Sequence, residues 1–236
     1  MPAGQKSGFV RLTDIFHERM PWEVPVQGLG FIASREGRFH RVREIVQRIC
    51  VFTGSSVGTR SDYALAARSL ARELVSRELG LVYGGANVGL MGILANAVLD
   101  LGGHVIGVIP ESLAAEEVAH EQLSELRIVN SMHERKAQMA ELSSGFIALP
   151  GGVGTLEEIF EIFTWAQLGL HRKPCGLLDV QGYFDLLIAF LDHGVNERFL
   201  KPEHRGMLLV EQDPGRLLDA FNAYTPPDLG KWIGRD

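Results

Sequence analysis

Three glycine-rich turns constrain this chain most: Gly54-Ser55-Ser56-Val57-Gly58, Gly84-Gly85-Ala86-Asn87-Val88-Gly89 and Gly151-Gly152-Val153-Gly154-Thr155. Each follows a short apolar run (Ile49–Phe52, Leu81–Tyr83 or Phe146–Leu149) and each precedes a segment with helical spacing of its apolar residues. An uninterrupted apolar run of this length reads as a strand buried on both faces. A glycine turn joining such a strand to a helix is the mark of a βα unit. The pattern predicts a parallel sheet with helices on both sides.

The alternation continues along the chain. Helices are expected over 61–79, with Leu65, Leu70, Leu74 and Val75 as apolar positions, and over 89–101, 131–143, 155–168, 183–195 and 214–223. Further strands are expected at 104–109, 126–129, 176–178 and 207–210. The fold class is α/β, a Rossmann-like doubly wound parallel sheet. Residues 49–223 form its single domain. Residues 1–48, with a turn-rich stretch and a charged helix from about Arg38 to Arg48, read as an N-terminal extension, either an arm or a mobile leader. Residues 224–236 read as a C-terminal tail.

Composition removes several functional classes. Lys and Arg number 23 against 29 Asp and Glu, so no basic excess argues for nucleic acid. No apolar run reaches the roughly 18 residues of a membrane helix, and the first residues lack the apolar core of a secretion signal. Cys50 and Cys175 sit in strand-like runs without CxxC or Cys/His spacing. They read as reduced core residues of a cytoplasmic protein, and no metal site is expected.

In an open parallel sheet, ligands bind beyond the carboxyl ends of the strands. Glycine turns let a ligand approach the main chain, and helix N-termini offer free N–H groups to an anion. Three such turns point to a phosphate site, with Gly54, Ser55, Gly84, Gly85, Gly89 and Gly151–Thr155 as its wall. The alternatives are that glycine only makes tight turns and that Ser55 and Ser56 only cap the next helix. No turn carries the dinucleotide fingerprint, and Leu90 stands where a Walker lysine belongs, which counts against NAD, FAD and ATP. Arg135 and Lys136 open a helix whose dipole they oppose, so an anion or a carboxylate partner is expected there, the alternative being a solvated surface pair. Thr155 and Glu158 have capping-box spacing, so Glu158 either caps its own helix or serves beside the phosphate cradle as a general base or cation stabiliser.

These segments resemble a known family. Thr53-Gly54-Ser55-Ser56, Gly84 through Gly92, Met132-His133-Glu134-Arg135-Lys136-Ala137 and Pro150 through Glu158 are similar to the lonely-guy (LOG) family of cytokinin riboside 5′-monophosphate phosphoribohydrolases. The run Phe163–Gly169 looks like the family too, and the likeness covers about residues 49–211. The resemblance implies a homodimer that splits the N-glycosidic bond of a purine nucleoside 5′-monophosphate, N6-modified or AMP, into free base and ribose 5-phosphate, without a cofactor. It implies Arg135 and Glu158 as the catalytic pair. As substrate-binding residues it implies Gly152, Val153, Gly154, Thr155, Leu156 and Glu157, with Lys136, Met91, Glu111 and Thr164. Nothing resembles a pyridoxal-phosphate site, and Lys136 reads as an anion ligand. Thr53 and Ala86 depart from a common family Cys and Gly, both conservatively in size. The other readings are a non-catalytic nucleotide or molybdenum-cofactor carrier of similar fold and, third, an NAD-dependent oxidoreductase.

Overall fold

In the computed structural model, which describes residues 48–114 and 119–227, the apolar runs lie side by side in one parallel sheet. Its strands are β1 (Arg48–Phe52), β2 (Gly80–Tyr83), β3 (Val105–Pro110), β4 (Glu125–Val129), β5 (Gly145–Ala148), β6 (Cys175–Leu178) and β7 (Leu208–Glu211), in the order β4-β3-β2-β1-β5-β6-β7. The chain steps outward from β1 to β4 and then returns to the other side of β1, where Cys50 pairs with Phe146. The gap between β1 and β5 is therefore the topological switch point, where a doubly wound sheet opens a crevice.

The helices are α1 (Ser61–Ser76), α2 (Gly89–Asp100), the single turn α3 (Glu111–Ala114), α4 (Met132–Leu142), α5 (Val153–Gln167), α6 (Asp185–Asn196), the single turn α7 (Pro202–Arg205) and α8 (Pro214–Ala223). Successive strand residues point to opposite faces, so each apolar run feeds two cores. Ile49, Val51, Leu81 and Tyr83 meet Leu70 and Leu74 of α1, Leu94 and Val98 of α2 and Leu217 of α8. Cys50, Phe52, Val82 and Val108 meet Met139 of α4 and Ile159, Ile162 and Phe163 of α5. Both cysteines are buried free thiols, and burial pushes them well above the ordinary thiol range.

The expected elements are present, with informative shifts at their ends. Helix α1 stops at Ser76 rather than 79, because Glu78 takes a left-handed conformation (φ 57°) and Leu79 N–H donates back to the Leu74 carbonyl at 2.8 Å. This is a Schellman ending made without glycine. Leu65, expected on the apolar face, is exposed. The first glycine turn does not lead straight into a helix, since α1 begins only at Ser61. Ser55 and Ser56 consequently cap nothing on α1, whose N-cap is Arg60. Helix α5 begins at Val153, two residues before the expected start at 155.

The expected charged helix from Arg38 and the rest of the 1–48 extension lie outside the described residues, apart from Arg48, which opens β1. The described part of the tail ends at residue 227. Among the described residues, no helix is long and apolar enough to cross a membrane.

Candidate active site

The three glycine turns converge because main-chain hydrogen bonds stitch them across the switch point. Gly54 N–H donates to the Pro150 carbonyl at 3.1 Å, and Thr53 Oγ1 donates to the same oxygen at 3.1 Å. Leu90 N–H, at the start of α2, donates to the Gly54 carbonyl at 3.1 Å. The approach is so close that a β-carbon on Gly151 would run into Thr155 Oγ1 and the Gly54 nitrogen. A residue with any side chain would force these turns apart.

Helix α5 starts at the edge of this cluster. Its N-cap is Gly152, which supplies no side-chain cap. Gly152, Val153 and Gly154 are exposed, and a β-carbon on Gly152 or Gly154 would meet nothing within 4 Å. The first N–H groups of α5 thus face open space, with the positive end of the helix dipole behind them. Thr155 lies in the first turn rather than at the cap, and it is buried. The capping-box reading of Thr155 and Glu158 therefore fails: the helix begins too early for it.

Glu158 instead meets Arg135. The Arg135 Nη1 donates to Glu158 Oε1 at 2.6 Å, and its Nε donates to the Val108 carbonyl at the end of β3 at 3.1 Å. Its Nη2 lies against Gly84, where a β-carbon would displace it. Both residues are 8% exposed. The crossover that places them together is simple. Helix α4 leaves the edge strand β4, returns across β3, β2 and β1, and brings Arg135 to the start of α5. Burial pushes the Glu158 carboxyl above the ordinary carboxylate range, and the Arg135 guanidinium only partly offsets it.

Lys136 joins the same cluster through carboxylate partners, one of the two alternatives expected of it. Its Nζ lies 2.6 Å from Glu157 Oε1 and 2.6 Å from Glu161 Oε2, so the ammonium braces α4 against α5. Burial alone would lower its pKa, but the two carboxylates outweigh this and raise it. An ammonium held protonated in this way is the opposite of a Schiff-base amine.

The other expected residues divide by position. The Met91 sulfur lies beside Gly84. Gly85 and Gly89 shape the second turn with positive φ (80° and 55°), and Leu156 is half-buried in the first turn of α5. Glu111 opens α3 immediately after β3, exposed and on the same sheet edge. Ser55 is exposed beside Gly54. Thr164 is exposed, bonded to its own helix through the Phe160 carbonyl, and lies two turns below Glu157, about 10 Å along α5. It is not brought to the Arg135–Glu158 pair. Sequence reasoning missed Tyr183, whose hydroxyl donates to the Gly151 carbonyl at 2.6 Å and whose ring packs edge-on against Tyr63. Its only signal is the Gln181-Gly182 turn before it, both residues with positive φ. Among the described residues, no group of three or more His, Cys, Asp or Glu side chains is placed to hold a metal ion.

Residues 91–221 match the family described as "Possible lysine decarboxylase". The chain is 51% identical over 194 residues to a probable cytokinin riboside 5′-monophosphate phosphoribohydrolase, LOGL9, of Oryza sativa subsp. japonica, covering 82% of this chain and 85% of that one. It is 49% identical over 189 residues to the cytokinin riboside 5′-monophosphate phosphoribohydrolase LOG5 of Arabidopsis thaliana, covering 80% and 83%. Among solved structures, the molybdenum cofactor binding protein of Rippkaea orientalis superposes with a TM-score of 0.59 at 18% identity, over 76% of this chain and 98% of that one. The molybdenum cofactor carrier protein of Chlamydomonas reinhardtii gives 0.57 at 20%, over 75% and 99%. At these identities the structural matches speak for the fold alone.

The buried pair makes a stability prediction. Replacing Arg135 by Met leaves Glu158 buried without its counter-ion, and the variant should lose about 2–4 kcal/mol, somewhat less than for a fully enclosed pair. Replacing both together, Arg135→Met with Glu158→Leu, should recover much of that loss in urea unfolding. Equal stability of the parent and the single variant would show that the pair is solvated.

Proposed function

The chain belongs to the lonely-guy (LOG) family of cytokinin riboside 5′-monophosphate phosphoribohydrolases, and on that premise we propose that its cleft hydrolyses the N-glycosidic bond of purine nucleoside 5′-monophosphates. Water and the nucleotide give the free base and ribose 5-phosphate. The substrate class is N6-modified adenine nucleotides or AMP. The observation that carries this reading is the buried Arg135–Glu158 pair beside an uncapped helix N-terminus.

Glycosidic cleavage passes through an oxocarbenium-like state, so negative charge is useful near the sugar and positive groups near the phosphate. The exposed N–H groups of Val153 and Gly154 suit the 5′-phosphate, with the Gly54 and Gly84-Gly85 turns around it. Phosphate binding there fixes the ribose, and that binding energy serves the reaction at C1′. Glu158 is the carboxylate for the cationic sugar or for the attacking water. Its pKa, raised by burial, makes it a stronger base than an ordinary carboxylate. Arg135 holds Glu158 ionised and aimed. The description of the family as a decarboxylase finds no support in Lys136, whose charge is fixed by Glu157 and Glu161.

Residues 49–223 are taken as the catalytic unit, and a homodimer as the working form. Helix α6 buries none of its residues fully, and Leu168, Leu170, Leu186, Phe190 and Phe199 are exposed, Phe199 at 92%. An apolar surface of that kind suits a second copy, and two-fold pairing is the commonest assembly. Buried thiols are compatible with the reducing cytoplasm.

Incubation with AMP should release adenine and ribose 5-phosphate. Glu158→Gln should lower kcat by about 10³-fold with little change in nucleotide affinity. Nucleotide binding without product from the parent protein would favour a carrier instead. The acid limb of the parent's kcat/KM should lie above 4.5, since protonating Glu158 removes the active carboxylate and burial raises its pKa from that value. A limb at or below 4.5 would contradict the assignment. Light scattering should give twice the chain mass for the parent and a single chain mass for Leu186→Asp/Phe199→Asp; a monomeric parent would refute the dimer.

A further inference from the structure

The second glycine turn, Gly84 to Gly89, is held by the segment that begins at Ala119. Ala119 and Ala86 form an antiparallel bridge, and His120 N–H donates to the Gly85 carbonyl at 2.9 Å. A side-chain chain runs parallel to this backbone clamp. His120 Nε2 lies 2.9 Å from Asn96 Oδ1, on α2, and Asn96 Nδ2 donates to Asn87 Oδ1, in the turn itself, at 3.1 Å. The other ring nitrogen, Nδ1, accepts from Gln122 N–H at 3.2 Å. His120 is 2% exposed.

We propose that His120 is a positioning residue for the reaction: through Asn96 and Asn87 it fixes the Gly84–Asn87 turn where Arg135 and the substrate need it. This rests on the phosphoribohydrolase reading. The hydrogen bonds dictate the protonation state. Asn96 turns its amide nitrogen toward Asn87, so its oxygen faces His120, and the histidine proton sits on Nε2. Nδ1 faces an N–H donor and carries no proton. The ring is therefore neutral, and burial lowers its pKa, which keeps it so.

The turn leaves little tolerance. Gly84 touches the Arg135 guanidinium closely enough that a β-carbon would not fit, and that guanidinium bonds Glu158. A turn that moves inward displaces Arg135 from the carboxylate. A turn that moves outward enlarges the space beside the sugar. The clamp sets this distance from a loop that makes no ion pair with either catalytic group among the interactions described. His120, Asn96 and Asn87 act through Gly84-Gly85 and Arg135; the reacting atoms are elsewhere.

Two substitutions separate positioning from mere bulk. His120→Gln keeps one donor and one acceptor, whereas His120→Phe keeps the volume and loses both. In His120→Phe the amides of residues 84–89 should exchange about tenfold faster by hydrogen–deuterium exchange, the cost of one lost buried hydrogen bond. The KM for AMP should rise about fivefold, by a similar argument. His120→Gln should stay within about twofold of the parent on both readouts. Should His120→Phe fail to fold, Asn96→Ala breaks the same chain on the exposed side of α2 and should show the same two changes. The proposal is overturned if a folded His120→Phe or Asn96→Ala protein exchanges at 84–89 like the parent, or if His120→Gln is as impaired as His120→Phe. If the parent itself releases no adenine, the catalytic reading fails on its own, and the exchange of the turn still decides whether His120 holds it.

Discussion

Burying a guanidinium and a carboxylate side by side costs both ions their hydration, and the Arg135–Glu158 contact only partly returns it. The rise in the Glu158 pKa expresses the imbalance. The folded state holds that proton more tightly than the unfolded chain, so the stability gained from this group is present in acid and is lost as pH rises through the raised pKa. At neutral pH the ionised carboxylate is thus a burden on the fold. Much of the surrounding architecture answers that burden: the Val108 carbonyl on the Arg135 Nε, the glycine at 84 that gives Nη2 its place, and Lys136 nearby, neutralised in turn by Glu157 and Glu161.

The topology makes this convergence possible. Because the chain reverses direction between β4 and β5, α4 must cross the sheet on its way back to β1. That crossover delivers a helix start carrying Arg135 to the place where α5 begins. The switch point also leaves the α5 N-terminus uncapped and open. One connection thereby brings together an open helix end, a buried acid and the cation paired with it. The hydrogen bonds from Gly54, Thr53 and Leu90 then lock the three turns into one surface.

Much of this was legible in the residues. Continuous apolar runs identified the strands because both faces are buried, and of the alternatives left open for Arg135 near a helix start, an anion, a carboxylate or solvent, the carboxylate is the one present. Spacing misled where a local motif competed with tertiary contacts. Thr155 and Glu158 fit a capping box, but Gly152 starts the helix earlier and Arg135 claims the carboxylate. Lys136 was expected to face an anion or a carboxylate, but which carboxylates it meets, Glu157 and Glu161 across the gap between α4 and α5, leaves no trace in one dimension. Tyr183 and His120 were missed for a related reason. Tyr183 reaches the Gly151 carbonyl and His120 reaches the second turn through Asn96 and Asn87, and such long-range bonds leave no periodicity in the sequence.

The interdependence of Arg135 and Glu158 is open to a double-mutant cycle on kcat/KM for base release from AMP, using Arg135→Gln, Glu158→Gln and the two combined. If the pair works as one unit, the combined variant will be about as slow as the slower single variant. Losses that multiply independently, each residue contributing its full factor in the absence of the other, would show that the two side chains serve separate purposes and that their contact is incidental to cleavage.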